Sequence, residues 1–164
     1  MSTETPAKPG ISDFDFLIGS WKVHHRRLKS RLAWCTEWIE SEGTCQARRV
    51  MGGQANIDDN VIEGSMGAYR ACSFRMFDPM SGQWSIWWFD SRFPAQLGPP
   101  VVGQFESGEG TFYSDETLEN RPIRVRFTWY ARKPESPRWE QAFSIDGGVT
   151  WETNWTMQFT RDPT

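Results

Sequence analysis

Hydrophobic and polar positions alternate along most of this chain, most clearly between Arg138 and Phe159. Trp139, Gln141, Phe143 and Ile145 fall on one face of a first arm. Trp151, Trp155, Met157 and Phe159 fall on one face of a second. A period of two marks a strand with one buried face. Between the arms stands Asp146-Gly147-Gly148, which supplies the positive φ angles of a tight hairpin turn. With Trp139 and Trp151 inside, Glu140 and Glu152 are expected outside, as surface charges.

The same alternation recurs upstream. Ser12 to Ile18 reads as a single helical turn with Ser12 as N-cap candidate, too short to stand alone and suited to plug one end of a barrel. A first strand follows from Gly19-Ser20-Trp21 to about Leu28, with Trp21, Val23, His25 and Arg27 on one face and His24 on the other. Arg31 to Gln46 reads as a second strand carrying Trp34 and Trp38. Arg48 to Glu63 reads as a third, broken near Gly52-Gly53. Tyr69 to Phe77 and Gln83 to Arg92 are the fourth and fifth, and Pro94 to Pro100 is a loop, because Pro99-Pro100 cannot sit in a central strand. Val101 to Glu106, Gly110 to Thr117 and Pro122 to Ala131 follow. In the last, Ile123, Val125, Phe127 and Trp129 face inward. The expected fold is therefore all-β: an antiparallel up-and-down barrel of about ten short strands, closed so that no edge is exposed.

Composition narrows the reading. A chain of 164 residues suffices for one domain with a real core, expected over residues 12–164. The polar, proline-containing residues 1–11 are expected to form a disordered tail rather than a signal peptide. The net charge of −3 gives no basic face for nucleic acid, and no apolar run reaches membrane-spanning length. Three cysteines without metal-type spacing point to reduced thiols and a cytoplasmic setting, with a Cys35–Cys45 bridge the less favoured alternative. Ten tryptophans and eleven phenylalanines either fill a core or line a cavity. Trp34, Trp38, Trp88, Trp129, Trp139 and Trp155 are an unusual supply for one interior.

Gly19-Ser20-Trp21 resembles the Gly-x-Trp signature of lipocalins and related calycins. The resemblance implies that Trp21 closes the barrel floor and that an arginine from the end of the last strand, here Arg161, packs across it. From about Ser12 to Arg161 the chain resembles bacterial lipocalin-like domains of unknown function. It shares their opening pattern, here Asp15-Phe16-Leu17-Ile18-Gly19-Ser20-Trp21, and their closing one, Trp151-Glu152-Thr153-Asn154-Trp155. That family brings no general mechanism to transfer. Locally, Ser144-x-Asp146-x-Gly148-x-Thr150-Trp151 resembles the Asp-box of sialidases, a structural hairpin whose chemistry is that of a turn.

Candidate chemistry lies in the first five strands. His25 and Arg27 share the Trp21 face. They act as an acid/base or anion-recognising pair near the mouth, or the strand frays there and both are solvated. Asn56, Asp58, Asp59 and Asn60 form the densest polar strand segment, a polar rim or turn unless one aspartate turns inward. Adjacent aspartates point to opposite faces, so one could face in and meet Arg27, Arg75 or His25. Arg75 and Asp90, on neighbouring strands, could form an inward pair that holds a polar ligand head or merely a structural salt bridge. No late-strand histidine exists for haem, no zinc ligand set, no phosphate loop and no nucleophile elbow. No cofactor or metal is expected.

The first expectation is thus a small-molecule binding barrel, holding an apolar or aromatic compound with a polar mouth. Arg27, Trp38, Asn56, Arg75, Trp88, Asp90, Trp129, Gln141 and Trp155 would contact the ligand. The second is a cofactor-independent isomerase, cyclase or lyase in the same cavity, with His25 or Asp58 as acid/base. The third is a structural or dimerising β-domain, and a homodimer is compatible with any of them.

Overall fold

A computed structural model describes residues 10–163. Ten strands form one closed antiparallel barrel in chain order, with the last pairing back onto the first. They are β1 (Gly19–Leu28), β2 (Trp38–Val50), β3 (Ala55–Gly64), β4 (Gly67–Asp78), β5 (Gln83–Asp90), β6 (Val101–Glu106), β7 (Glu109–Leu118), β8 (Arg121–Tyr130), β9 (Arg138–Ser144) and β10 (Glu152–Arg161). Closure leaves no unpaired edge. A 3-10 turn, Asp15–Leu17, precedes β1, and a second, Met51–Gly53, links β2 to β3. No helix among the described residues is long and apolar enough to cross a membrane.

On β1 and β9 the faces expected inside are the buried ones, and on β4, where alternation alone leaves the choice of face open, the face of Tyr69 and Arg75 is the inner one. Trp21, Val23 and His25 on β1, Tyr69, Ala71, Ser73, Arg75 and Phe77 on β4, and Trp139, Gln141 and Phe143 on β9 all point into the barrel. The Asp146-Gly147-Gly148 turn has the expected left-handed glycines. It is stitched by Asp146, whose carboxylate accepts the backbone N–H groups of Val149 and Thr150 and the Thr150 hydroxyl. Those bonds hold the Asp146 carboxyl down at about 2.

Several expectations need correction. The second strand begins at Trp38, not at Arg31. Residues 29–37 form a loop in which Leu32 and Trp34 take positive φ, and Trp34 is 98% exposed. Trp38 is on the outer wall, where the exposed Arg26 stacks on it at 4.9 Å, and it does not line the cavity. Ser12 is not a side-chain cap, because the 3-10 turn starts at Asp15 with no side-chain hydrogen bond at its N-terminus. The disordered tail was expected to run through residue 11. Gly10 is buried and ordered, its carbonyl accepting the Trp84 indole N–H at 2.9 Å, and residues 1–9 lie outside the described residues. The largest change is in β10, where a bulge shifts the register between Thr153 and Trp155. An extra residue inverts the alternation on either side of it. Trp151 therefore packs on the outer wall against Tyr113 and Arg126. Glu152 moves to the inner side opposite Phe143 and accepts the backbone N–H of Leu32 at 2.8 Å. All three cysteines are free thiols.

Candidate functional site

One end of the barrel is sealed. Arg161 lies 3.8 Å over the Trp21 ring and donates to the carbonyls of Ile18 and Phe16 at 2.7 and 2.9 Å. The Trp21 indole donates to the Leu17 carbonyl. Gly19 is required here: its φ is +123°, and a Cβ at this position would sit 2.4 Å from an Arg161 guanidinium nitrogen. Above this floor the interior is filled by Phe14, Trp84, Phe105, Phe112 and Trp129, with Phe14 meeting Trp84 and Phe105 edge-on at 4.9 Å.

The next layer is polar and fully enclosed. Asp58 and Arg75, both buried, form an ion pair at 2.5 Å. Arg75 also donates to Asn56 at 2.9 Å. Asp58 accepts the Asn60 side-chain amide and the Ser73 backbone N–H, each at 2.7 Å. The Asn56–Asn60 segment is thus an inner wall rather than a rim or turn. Asp59 points outward to Arg70, as the adjacent-residue argument required. The expected Arg75–Asp90 pair does not form. Arg75 lies opposite Ile86 on β5, and Asp90 lies opposite Ala71. The void beside this network is about 20 Å³, too small for an organic ligand.

The other end opens into a cavity of about 860 Å³. Ile86, Trp88, Phe127 and Trp139 border both this cavity and the small void, so they form the cavity's floor. Val125, Phe143 and Trp155 line its side, and the β5–β6 loop from Phe93 to Pro99 lines its mouth. The aromatic walls interlock, with Trp155 edge-on to Trp139 at 5.1 Å and to Trp88 at 5.5 Å. Polar groups gather at the neck: Arg27, Arg31, Asp90, Arg92, Glu116, Gln141 and Asn154.

Of the predicted site residues, Arg27, Trp88, Asp90, Gln141 and Trp155 come together on this cavity. Asp58, Arg75 and Trp129 border only the deep void, and Asn56 belongs to the network beneath. Trp38 is outside. His25 is 1% exposed, neither frayed nor solvated, and sits behind Trp155. Its Nδ1 accepts the Trp155 indole N–H at 3.1 Å, which places the imidazole proton on Nε2. Burial, helped by the charges of Arg27 and His24, pulls its pKa down to about 3. His25 is therefore neutral and orients Trp155 rather than facing the cavity.

Four neck residues went unread in the sequence. Arg31 and Arg92 lie just beyond strand ends, where alternation carries no information. Glu116 sits on an otherwise polar stretch of β7. Asn154 is the bulge residue, so period two places it outside, whereas it is 1% exposed. Its Oδ1 accepts from Gln141 at 2.9 Å, and its Nδ2 has no hydrogen-bond partner among the described residues.

The neck charges differ in how they are held. Burial would raise the Asp90 carboxyl, but the hydrogen bonds and charge of Arg92, at 2.8 and 3.0 Å, outweigh it and hold Asp90 ionised. Burial pushes the Glu116 carboxyl upward, against a hydrogen bond from the Ser114 hydroxyl at 3.0 Å. Arg27 is shifted down by burial. Its guanidinium lies 3.9 Å over Trp155 and 5.6 Å over Tyr69, and Arg92 lies 3.6 Å over the same Tyr69 ring. Among the described residues no cluster of histidine, cysteine and carboxylate groups could hold a metal ion.

No protein-family model and no curated protein matches the sequence. Among solved structures, an S-type phycobiliprotein lyase from Guillardia theta is similar over 97% of this chain and 99% of its own, with a TM-score of 0.61 at 10% identity. At that identity the likeness is one of fold: a lipocalin-like barrel.

Proposed function

We propose that this barrel binds a small apolar or aromatic molecule in its open-end cavity. The observation that carries the reading is the aromatic-floored space of about 860 Å³ in a barrel whose other end is filled. Small-molecule pockets are of this size, mostly apolar, with a few polar groups that fix orientation. The ligand body would rest on Trp88, Phe127 and Trp139 beside Trp155, with Arg27, Asp90 and Gln141 orienting its polar part. The solved neighbour is named a lyase of phycobiliproteins, which supports a ligand-handling use of this fold.

The test is direct. The purified protein is incubated with a cell extract and denatured, and the released small molecules are identified. Titration with the neutral probe N-phenyl-1-naphthylamine is then followed by quenching of tryptophan emission. Trp88→Ala is expected to weaken probe binding about tenfold, a loss of about 1.4 kcal/mol. No released compound together with no quenching by the probe would overturn the reading.

A second reading, a cofactor-independent enzyme, is favoured by Glu116. It is a cavity carboxyl raised by burial, which suits an acid/base. This moves that role away from His25 and Asp58, neither of which reaches the cavity. Loss of turnover with retained binding in Glu116→Gln would support it. Unchanged turnover would remove Glu116 from the role.

A further inference from the structure

The neck of the cavity is built unevenly in charge. Three guanidinium groups, Arg27, Arg31 and Arg92, border it with two carboxyl groups, Asp90 and Glu116. Asp90 is held by Arg92 in a two-point pair, and only its longer-range field reaches Arg27. Glu116 is engaged by Ser114, and its burial favours the neutral form. Among the described residues, neither Arg27 nor Arg31 is in an ion pair with a carboxylate, whereas the deep Arg75 and the neck Arg92 each have one. Arg27 is instead stacked on Trp155, and Arg31 lies 5.5 Å from the Phe143 ring centre. Stacking fixes a guanidinium in place, and of the five N–H donors of Arg27 only the contact with the Tyr69 hydroxyl is taken up by a side chain, so the rest of the edge can donate to a ligand.

A second donor stands close by. Arg27 lies opposite Trp155 across the β1–β10 ladder, and the preceding residue, Asn154, carries the buried Nδ2 that lacks a partner. His25 Nε2, Tyr69 Oη and Arg75 Nε also lack a partner within hydrogen-bond geometry among the described residues, but of these four residues Asn154 alone lines the open cavity, where an orphan donor points to an acceptor that arrives with the ligand. Gln141 fixes the amide by donating to its oxygen, which leaves the nitrogen as the free end.

Resting on the binding reading above, we infer that the cavity takes an organic acid: an aromatic or otherwise flat apolar body on the floor, with a carboxylate held at the neck by Arg27 and Asn154. A carboxylate supplies both the missing counter-charge and the missing acceptor. Charge-assisted bonds from arginine to a carboxylate are among the stronger polar contacts.

A matched probe pair separates this inference from the reading it rests on: 1-pyrenebutanoate and the uncharged 1-pyrenebutanol, titrated by energy transfer from tryptophan. The wild-type protein is expected to bind the acid at least about tenfold more tightly than the alcohol. Arg27→Gln is expected to remove most of that preference, weakening the acid at least about fivefold more than the alcohol. Arg27→Lys keeps part of the preference, because the charge remains. Asn154→Asp weakens the acid more than the alcohol, because it sets a like charge beside the carboxylate. Circular dichroism melts of each variant establish that the barrel is folded at the titration temperature. Equal wild-type affinity for acid and alcohol, or an Arg27→Gln effect equal on both, would overturn the inference and leave the cavity reading standing. Failure of both probes to bind would remove the two together.

Discussion

The two ends of this barrel use the same strands and the same alternation, yet they treat polar groups in opposite ways. At the closed end the charged groups are paired or stacked, and the one unanswered charged-group atom among the described residues is the buried Arg75 Nε. Arg161 is stacked and bonded to two carbonyls, and Arg75 is paired with Asp58 beside a void of about 20 Å³. At the open end, among the described residues, Arg27 and Arg31 are in no ion pair and Asn154 keeps an orphan donor, and a cavity of about 860 Å³ opens outward. A protein interior is close-packed and hydrogen-bonded unless something else is served. On the binding reading proposed above, the closed half is built for stability and the open half for a guest.

The sharpest way to break that division is at Asp58. Asp58→Ala leaves the buried Arg75 without a counter-charge, and breaking a buried pair costs about 3–5 kcal/mol. Urea denaturation is expected to show a loss of that order. A protein losing less than about 1 kcal/mol would mean that water reaches Arg75 and that the closed half is not closed.

The next effect is one of pH, at the boundary between the halves. His25 is neutral and buried in the folded chain, with its pKa near 3, while in the unfolded chain it takes up a proton near 6.5. Between those values the unfolded state binds the extra proton. The stability His25 contributes is therefore complete above about pH 6.5 and is lost as pH falls toward 3, by at most about 1.4 kcal/mol per pH unit. His25→Gln is expected to flatten this part of the acid limb in chemical denaturation. An unchanged limb would mean that water reaches the imidazole, and that Trp155 is not held from behind.

Arg161→Ala tests the floor itself. Removing the stack on Trp21 and two bonds to carbonyls at an exposed strand end is expected to cost about 1 kcal/mol. It should lower Tm and leave ligand affinity unchanged, because the floor does not border the cavity. A change in affinity would couple the two ends and contradict the division.

Why the closed end was easier to read than the open one follows from what alternation encodes. Period two fixes which residues share a face within a strand, and so Trp21, Phe127 and Trp139 fall inside as expected. On β4 it leaves open which face is the inner one, and on β1 it leaves open whether His25 frays into solvent. It does not fix which residues lie opposite one another across strands. Alternation alone therefore allows Arg75 to meet Asp90 on β5, whereas the β3–β4 register sets it opposite Asn56 and near Asp58. Nor does it survive an irregularity. The bulge at Asn154 moved Trp151 outward and turned Asn154 and Glu152 inward, and two positive-φ residues made residues 29–37 a loop. The cavity neck is assembled from strand ends, a loop and a bulge, and those are the positions where the pattern stops.

Trp34 gives the smallest effect and the finest test of openness. The alternation suggested an interior residue, but its ring is 98% exposed on the loop that leads from β1 to β2. That loop is tied to the mouth by the Leu32 N–H to Glu152 bond. Substitution at a site this exposed is expected to change stability by less than about 0.5 kcal/mol. Trp34→Ala should also remove the indole most accessible to iodide, so that the remaining emission reports mainly on buried rings such as Trp21, Trp84, Trp129, Trp139 and Trp155. A larger loss of stability, or iodide quenching that does not fall, would mean that the 29–37 loop packs across the mouth. Arg31, on the same loop, would then be covered, and the contrast between a filled end and an open one would become a contrast between a fixed plug and a movable one.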